Sequence, residues 1–83
     1  MHIERQVLLP IRYKGREVLD AFRLDLLIER QVVVELKSVD DLLPVHTAQV
    51  LTYLKLTGLN VGLILNFKVD VMRKGIRRVV NSR

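Results

Sequence analysis

The chain has no cysteine and no tryptophan, and only two prolines and four glycines. The missing cysteine excludes disulfides, thiolate metal sites and cysteine nucleophiles. The glycines are scattered, so no glycine-rich phosphate-binding loop is present. With two histidines in the whole chain, Ser38 and Ser82 have no credible triad partners. No apolar run approaches the ~20 residues of a membrane-spanning helix, and the opening Met1-His2-Ile3-Glu4-Arg5 lacks signal-peptide character. These absences point to a cytoplasmic chain with no membrane partner.

What remains is 83 residues, 49% hydrophobic and 28% charged, a globular composition sized for one small domain. A domain of this size buries only about 60% of its unfolded surface, so its stability is modest. Lysine and arginine outnumber acids 14 to 9, which permits a polyanionic partner without requiring one.

Hydrophobic periodicity predicts the elements. Arg5–Tyr13 alternates with the two-residue period of a strand, Val7, Leu9, Ile11 and Tyr13 on one face. Pro10 cannot donate to a ladder, so this strand belongs at an edge or carries a bulge. Lys14-Gly15 reads as a turn. A second strand over Ala21–Glu29 sets Phe22, Leu24, Leu26 and Ile28 on an even-numbered apolar face, and a third over Gln31–Lys37 does the same with Val32, Val34 and Leu36. Both stripes are expected to face one core. After the Ser38–Asp41 loop, Pro44 suits a first helical turn. Ala48, Leu51 and Leu54, with Val50, mark the core side of a helix over Val45–Thr57 that stops at Gly58. Val61–Phe67, nearly all apolar, fits a strand buried on both faces. A right-handed crossover then makes it parallel to Gln31–Lys37. Gly75–Val80 is a short edge strand or turn of helix. The fold class is α+β: a βββαβ core, mixed sheet and one main helix.

The polar residues of the hairpin carry the chemistry. A three-residue loop at 29–31 pairs Asp25 with Glu35 across the two strands, and Lys37 follows two residues on along the same face. Two carboxylates at that separation are the minimum an oxygen-seeking divalent cation needs, with the Leu36 carbonyl a further ligand. Lys37 is placed to orient a water or stabilise charge on a phosphate. The structural alternative is a salt-bridged trio on a solvated face. On the helix, His46, Gln49 and Tyr53 share a face. The Gln49–Tyr53 pair can support a carboxylate or phosphate through hydrogen bonds, or simply meet water, and His46 reads as a helix-entry residue. The basic tail, Lys68, Arg73, Lys74, Arg77, Arg78 and Arg83 against Asp70 alone, suits either a nucleic-acid backbone or solvent. No aromatic follows Phe67 to stack bases.

The segment RLDLLIERQVVVELKSVDDLLPVHTAQVLTYLKLTGLNVGLILNF, with QVLLPIRYKGREV ahead of it, resembles the GxxExxY proteins, a group within the PD-(D/E)XK nuclease-like superfamily. The likeness runs from about Glu4 to Val80. It implies a PD-(D/E)XK-type core in which Asp25 and Glu35 hold magnesium or manganese, Lys37 assists the attacking water, and Gln49 and Tyr53 support the site. The substrate it implies is a nucleic-acid phosphodiester. In that family the naming Gly-x-x-Glu-x-x-Tyr motif lies on a helix ahead of the first strand, and the chain begins after it; Glu4 and Glu17 occupy no equivalent position. The expectation is a single truncated domain, residues 1–83, lacking that helix and its acidic residue. A sheet face so uncovered calls for a homo-oligomer or a partner subunit.

Overall fold

The computed structural model describes residues 1–13, 16–68 and 75–81, and among these the side chains of all but 10–13 and 16–21. The expected turn at Lys14-Gly15 and the cations Arg73, Lys74 and Arg83 lie outside the described residues. The elements are β1 (Ile3–Tyr13), β2 (Arg16–Ile28), β3 (Val32–Lys37), α1 (Pro44–Thr57), β4 (Val61–Asn66) and β5 (Ile76–Val80). They form a five-stranded sheet in the order β1-β2-β3-β4-β5. β3 and β4 run parallel and every other neighbouring pair is antiparallel. The crossover through α1 thus gives the expected mixed α+β sheet. β1 lies at one edge and its register shifts between Leu9 and Ile11, so Pro10 occupies both an edge and a bulge, where its missing N–H breaks no ladder bond.

The β2–β3 turn is tight. Gln31 N donates to Ile28 O at 2.9 Å, and Glu29 and Arg30 both have positive φ, 52° and 53°. Neither residue is glycine or asparagine, so this left-handed pair is strained. The chain start braces it. His2 N donates to Glu29 Oε1 at 2.8 Å, and Arg30 donates to Glu4 at 3.0 Å. The resulting register, Leu26 opposite Val34 and Leu27 opposite Val33, is the one a three-residue loop predicts.

α1 begins at Pro44, whose lost N–H costs nothing at that position, and ends where Gly58 takes φ 76° and donates to Leu54 O. His46 reaches back so that its Nδ1 accepts the Leu43 N–H at 2.9 Å, one half of a capping box. It is a helix-entry residue, as its position suggests. Val50, Tyr53 and Leu54 are the buried residues of the helix, packed with Val33, Ile64 and Val79 of the sheet. Ala48, expected in this stripe, is exposed and Leu51 only half-buried. The helix instead rolls its tyrosine into the core.

Two expectations about faces need correction. α1 covers the side of β3 that carries Val33, Glu35 and Lys37, while the even-numbered stripe of Leu26, Val34 and Leu36 looks the other way. The Glu35 side of β3 is therefore no solvated face. Nor is the stripe continuous along β2. Phe22 stacks edge-on against Tyr53, with ring centroids 5.6 Å apart at 74°, and Leu24 is fully buried in the same cluster that Leu27 borders. Residues 24 and 27 cannot share a face in regular alternation, so β2 changes phase between them, at Asp25. The β1 pairs on either side, Arg5 with Leu26 and Val7 with Leu24, put Gln6 across from Asp25, and Gln6 has φ 53°.

Gly62 permits a close approach of helix to sheet. A Cβ there would lie 2.5 Å from Val50 Cγ1 and 3.4 Å from Val33 O. Val50 is buried and β-branched, so it has no alternative rotamer to retreat into. Gly62→Ala should therefore destabilise the fold by about 1–3 kcal/mol. Urea unfolding of that variant beside the Gly62→Ala/Val50→Ala double variant checks this, since trimming Val50 should recover part of the loss.

Candidate active site

At Asp25 the β2–β3 ladder passes from backbone to side chains. Asp25 N donates to Glu35 Oε1 at 3.3 Å, and Leu36 N donates to Asp25 Oδ2 at 2.9 Å. Each acid thus satisfies an N–H on the opposite strand, and the two carboxylates are fixed side by side. Leu36 turns its N–H toward β2, while the next residue, Lys37, gives its carbonyl to Phe67 N on the β4 side at 2.9 Å. N–H and C=O of one strand residue point the same way, so the Leu36 carbonyl also faces Asp25.

Lys37 closes the group. Its Nζ lies 3.9 Å from Glu35 Oε2 and donates to Gln49 Oε1 at 2.9 Å. Gln49 in turn donates from Nε2 to the Tyr53 hydroxyl at 2.9 Å. One turn of α1 therefore sets the amide of Gln49, and that amide sets the ammonium of Lys37. The structure brings together Asp25, Glu35, Lys37, Gln49 and Tyr53, and leaves His46 outside the group at the helix entry.

Burial governs the electrostatics. Glu35 is 3% exposed, and its pKa is pushed up to about 7, first by desolvation and then by the charge of Asp25, against the lowering effects of the Asp25 N–H and Lys37. The Tyr53 hydroxyl is pushed up as well, by burial and then by the Glu35 charge. A buried carboxylate this poorly compensated is a natural seat for a cation. The Asp25 carboxylate, Glu35 Oε2 and the Leu36 carbonyl would make an all-oxygen donor set suited to a hard divalent ion. Among the described residues no group of three His, Cys, Asp or Glu converges. Water and substrate oxygens would complete the shell, as magnesium commonly allows.

A profile of the PD-(D/E)XK nuclease superfamily matches residues 1–79, a span that includes every residue of this cluster. The chain belongs to that superfamily. The crystal structure of SSO0001 is similar to this PD-(D/E)XK chain with a TM-score of 0.70 and 24% identity, over 98% of this chain and 43% of that one. At that identity the likeness speaks for the fold, and this chain spans less than half the length of SSO0001. No curated protein of similar sequence was found. No helix among the described residues of the PD-(D/E)XK chain is long and apolar enough to cross a membrane.

One residue of this nuclease-superfamily chain escaped the sequence reading. Asn66 is 1% exposed. Its side chain accepts from Val39 N at 3.1 Å and Lys68 N at 3.3 Å, and donates to Val39 O at 2.9 Å. It pins the segment leaving β3 directly after Lys37 and so fixes where α1 begins. The available signal was a lone amide ending an apolar strand.

Proposed function

We propose that the chain is a metal-dependent phosphodiesterase module acting on nucleic acid, with Asp25 and Glu35 as magnesium or manganese ligands and the Leu36 carbonyl as a third. The observation that carries this reading is the reciprocal bonding of the two carboxylates beneath α1, with an anchored lysine at their rim. An ion held there would polarise a phosphoryl oxygen and lower the pKa of a water. Lys37, its direction set by Gln49, orients the attacking water and offsets negative charge on the phosphate. Tyr53 stays protonated and holds Gln49. Within the superfamily we place the chain among the GxxExxY proteins, a placement supported by Asp25, Glu35-Leu36-Lys37 and Gln49-x-x-x-Tyr53 occurring in that order.

A second reading, a catalytically inactive nuclease fold serving as a homo-oligomeric or partner-binding scaffold, is favoured by one observation. Ile3, Leu36, Ile76 and Val80 are each 40% or more exposed on the sheet face that α1 does not cover. Calorimetric titration with manganese separates the two. The enzymatic reading expects binding that Asp25→Asn removes, and cleavage of DNA or RNA once metal is added. Absence of heat at millimolar metal, together with a mass above 9.6 kDa by light scattering, would favour the scaffold.

A further inference from the structure

Among the described residues, the basic tail contributes Lys68, Arg77 and Arg78, and the sheet sets them in different surroundings. Val79 pairs with Gly62 beneath α1 and is buried, so Arg77 shares its face and Arg78, opposite Leu63, stands on the uncovered apolar face. Lys68 is held by Asp40 at 2.7 Å. Arg77 has no carboxylate partner among the described residues. Its Nη1 donates to Thr47 Oγ1 in the first turn of α1 at 3.3 Å, which aims the guanidinium while leaving its other N–H groups available.

The position matters more than the charge. Glu35 pairs with Ile64, and Ile64 with Arg77, so one cross-strand row runs from the acid pair to this arginine. Two interstrand spacings place the Arg77 backbone about 10 Å from that of Glu35. The row lies toward the carboxyl end of the parallel pair β3–β4, where ligands of open α/β sheets bind.

We infer that Arg77 is a phosphate-contacting residue that seats the nucleic-acid strand beside the Asp25–Glu35 pair, and that Arg78 is not. The inference rests on the nucleic-acid reading above. A guanidinium fixed at one nitrogen presents the planar fork that matches a phosphate, and neutralising one phosphate has a defined salt signature.

The test is fluorescence anisotropy of short labelled DNA and RNA, each single-stranded and duplex, in EDTA over a salt series of about 50–200 mM. Arg77→Gln should weaken binding by about 5–10-fold and lower the salt slope by about 1, while Arg78→Gln changes neither. Arg77→Lys should recover the slope but not the full affinity, which a purely structural role for Arg77 would not produce. Equal effects of the two glutamine variants, or none from Arg77→Gln while the wild type binds, would overturn this inference alone. A wild type that binds neither DNA nor RNA at the lowest salt would overturn it together with the nuclease reading.

Discussion

Asp25→Asn and Glu35→Gln should each cut metal-dependent cleavage by about 1,000-fold or more, with the fold intact. The magnitude follows from removing one of two charged ligands, because metal stabilisation of phosphate charge amounts to several kcal/mol and each 1.36 kcal/mol is tenfold in rate. The fold persists because either amide still offers an oxygen to the backbone donor its carboxylate serves, Leu36 N for residue 25 and Asp25 N for residue 35. Alanine would leave those donors without a partner and confound the comparison. Single-turnover cleavage with magnesium, alongside far-UV circular dichroism, is the measurement. Retention of more than a tenth of wild-type activity in both variants would show that the pair does not hold the reacting metal.

Stability should decline as pH rises from 4.5 to about 7 without metal, and Glu35→Gln should remove that decline. Glu35 moves from 4.5 to about 7 on folding. Between those values the folded state keeps a proton that the unfolded state has released, so the folded form is favoured at the acidic end and loses this advantage as pH approaches 7. The full shift corresponds to about 3 kcal/mol. In a domain this small that is a Tm difference of roughly 10 °C or more. Thermal melts of wild type and Glu35→Gln at several pH values should converge near pH 4.5 and diverge toward pH 8, the variant being the more stable. Saturating magnesium at pH 8 should raise the wild-type Tm and leave the variant unmoved, since a ligand specific for the folded state stabilises it with the logarithm of its concentration relative to Kd. Parallel melting curves at every pH would mean that the carboxylate is better compensated than its burial implies.

The meeting of Asp25 with Glu35 was legible because a short loop fixes hairpin register, and register decides which side chains share a face. The crossover to β4 and the bulge at Pro10 were legible for similarly local reasons. The side taken by α1 was not, because β3 and β4 carry apolar residues on both faces and the helix itself has leucine or valine on every side, Val45 and Leu56 remaining exposed. With no strong stripe to read, the even-numbered face of the hairpin looked like the core. The phase change at Asp25 was hidden for another reason. It depends on Gln6 adopting a left-handed conformation that its side chain does not announce. Asn66 shows only as an amide at a strand end, and its bonds to Val39 arise from a pairing distant in sequence.

The reciprocal bonds between Asp25 and the Glu35–Leu36 stretch have a consequence for the order of assembly. They lie ten and eleven residues apart along the chain, so the hairpin can join the acids while they are still hydrated. Dehydration comes when α1 settles over them and Tyr53 closes beside Phe22. The electrostatic cost of the pocket therefore falls on the docking of one helix, and that helix should be the first to open once Glu35 is charged.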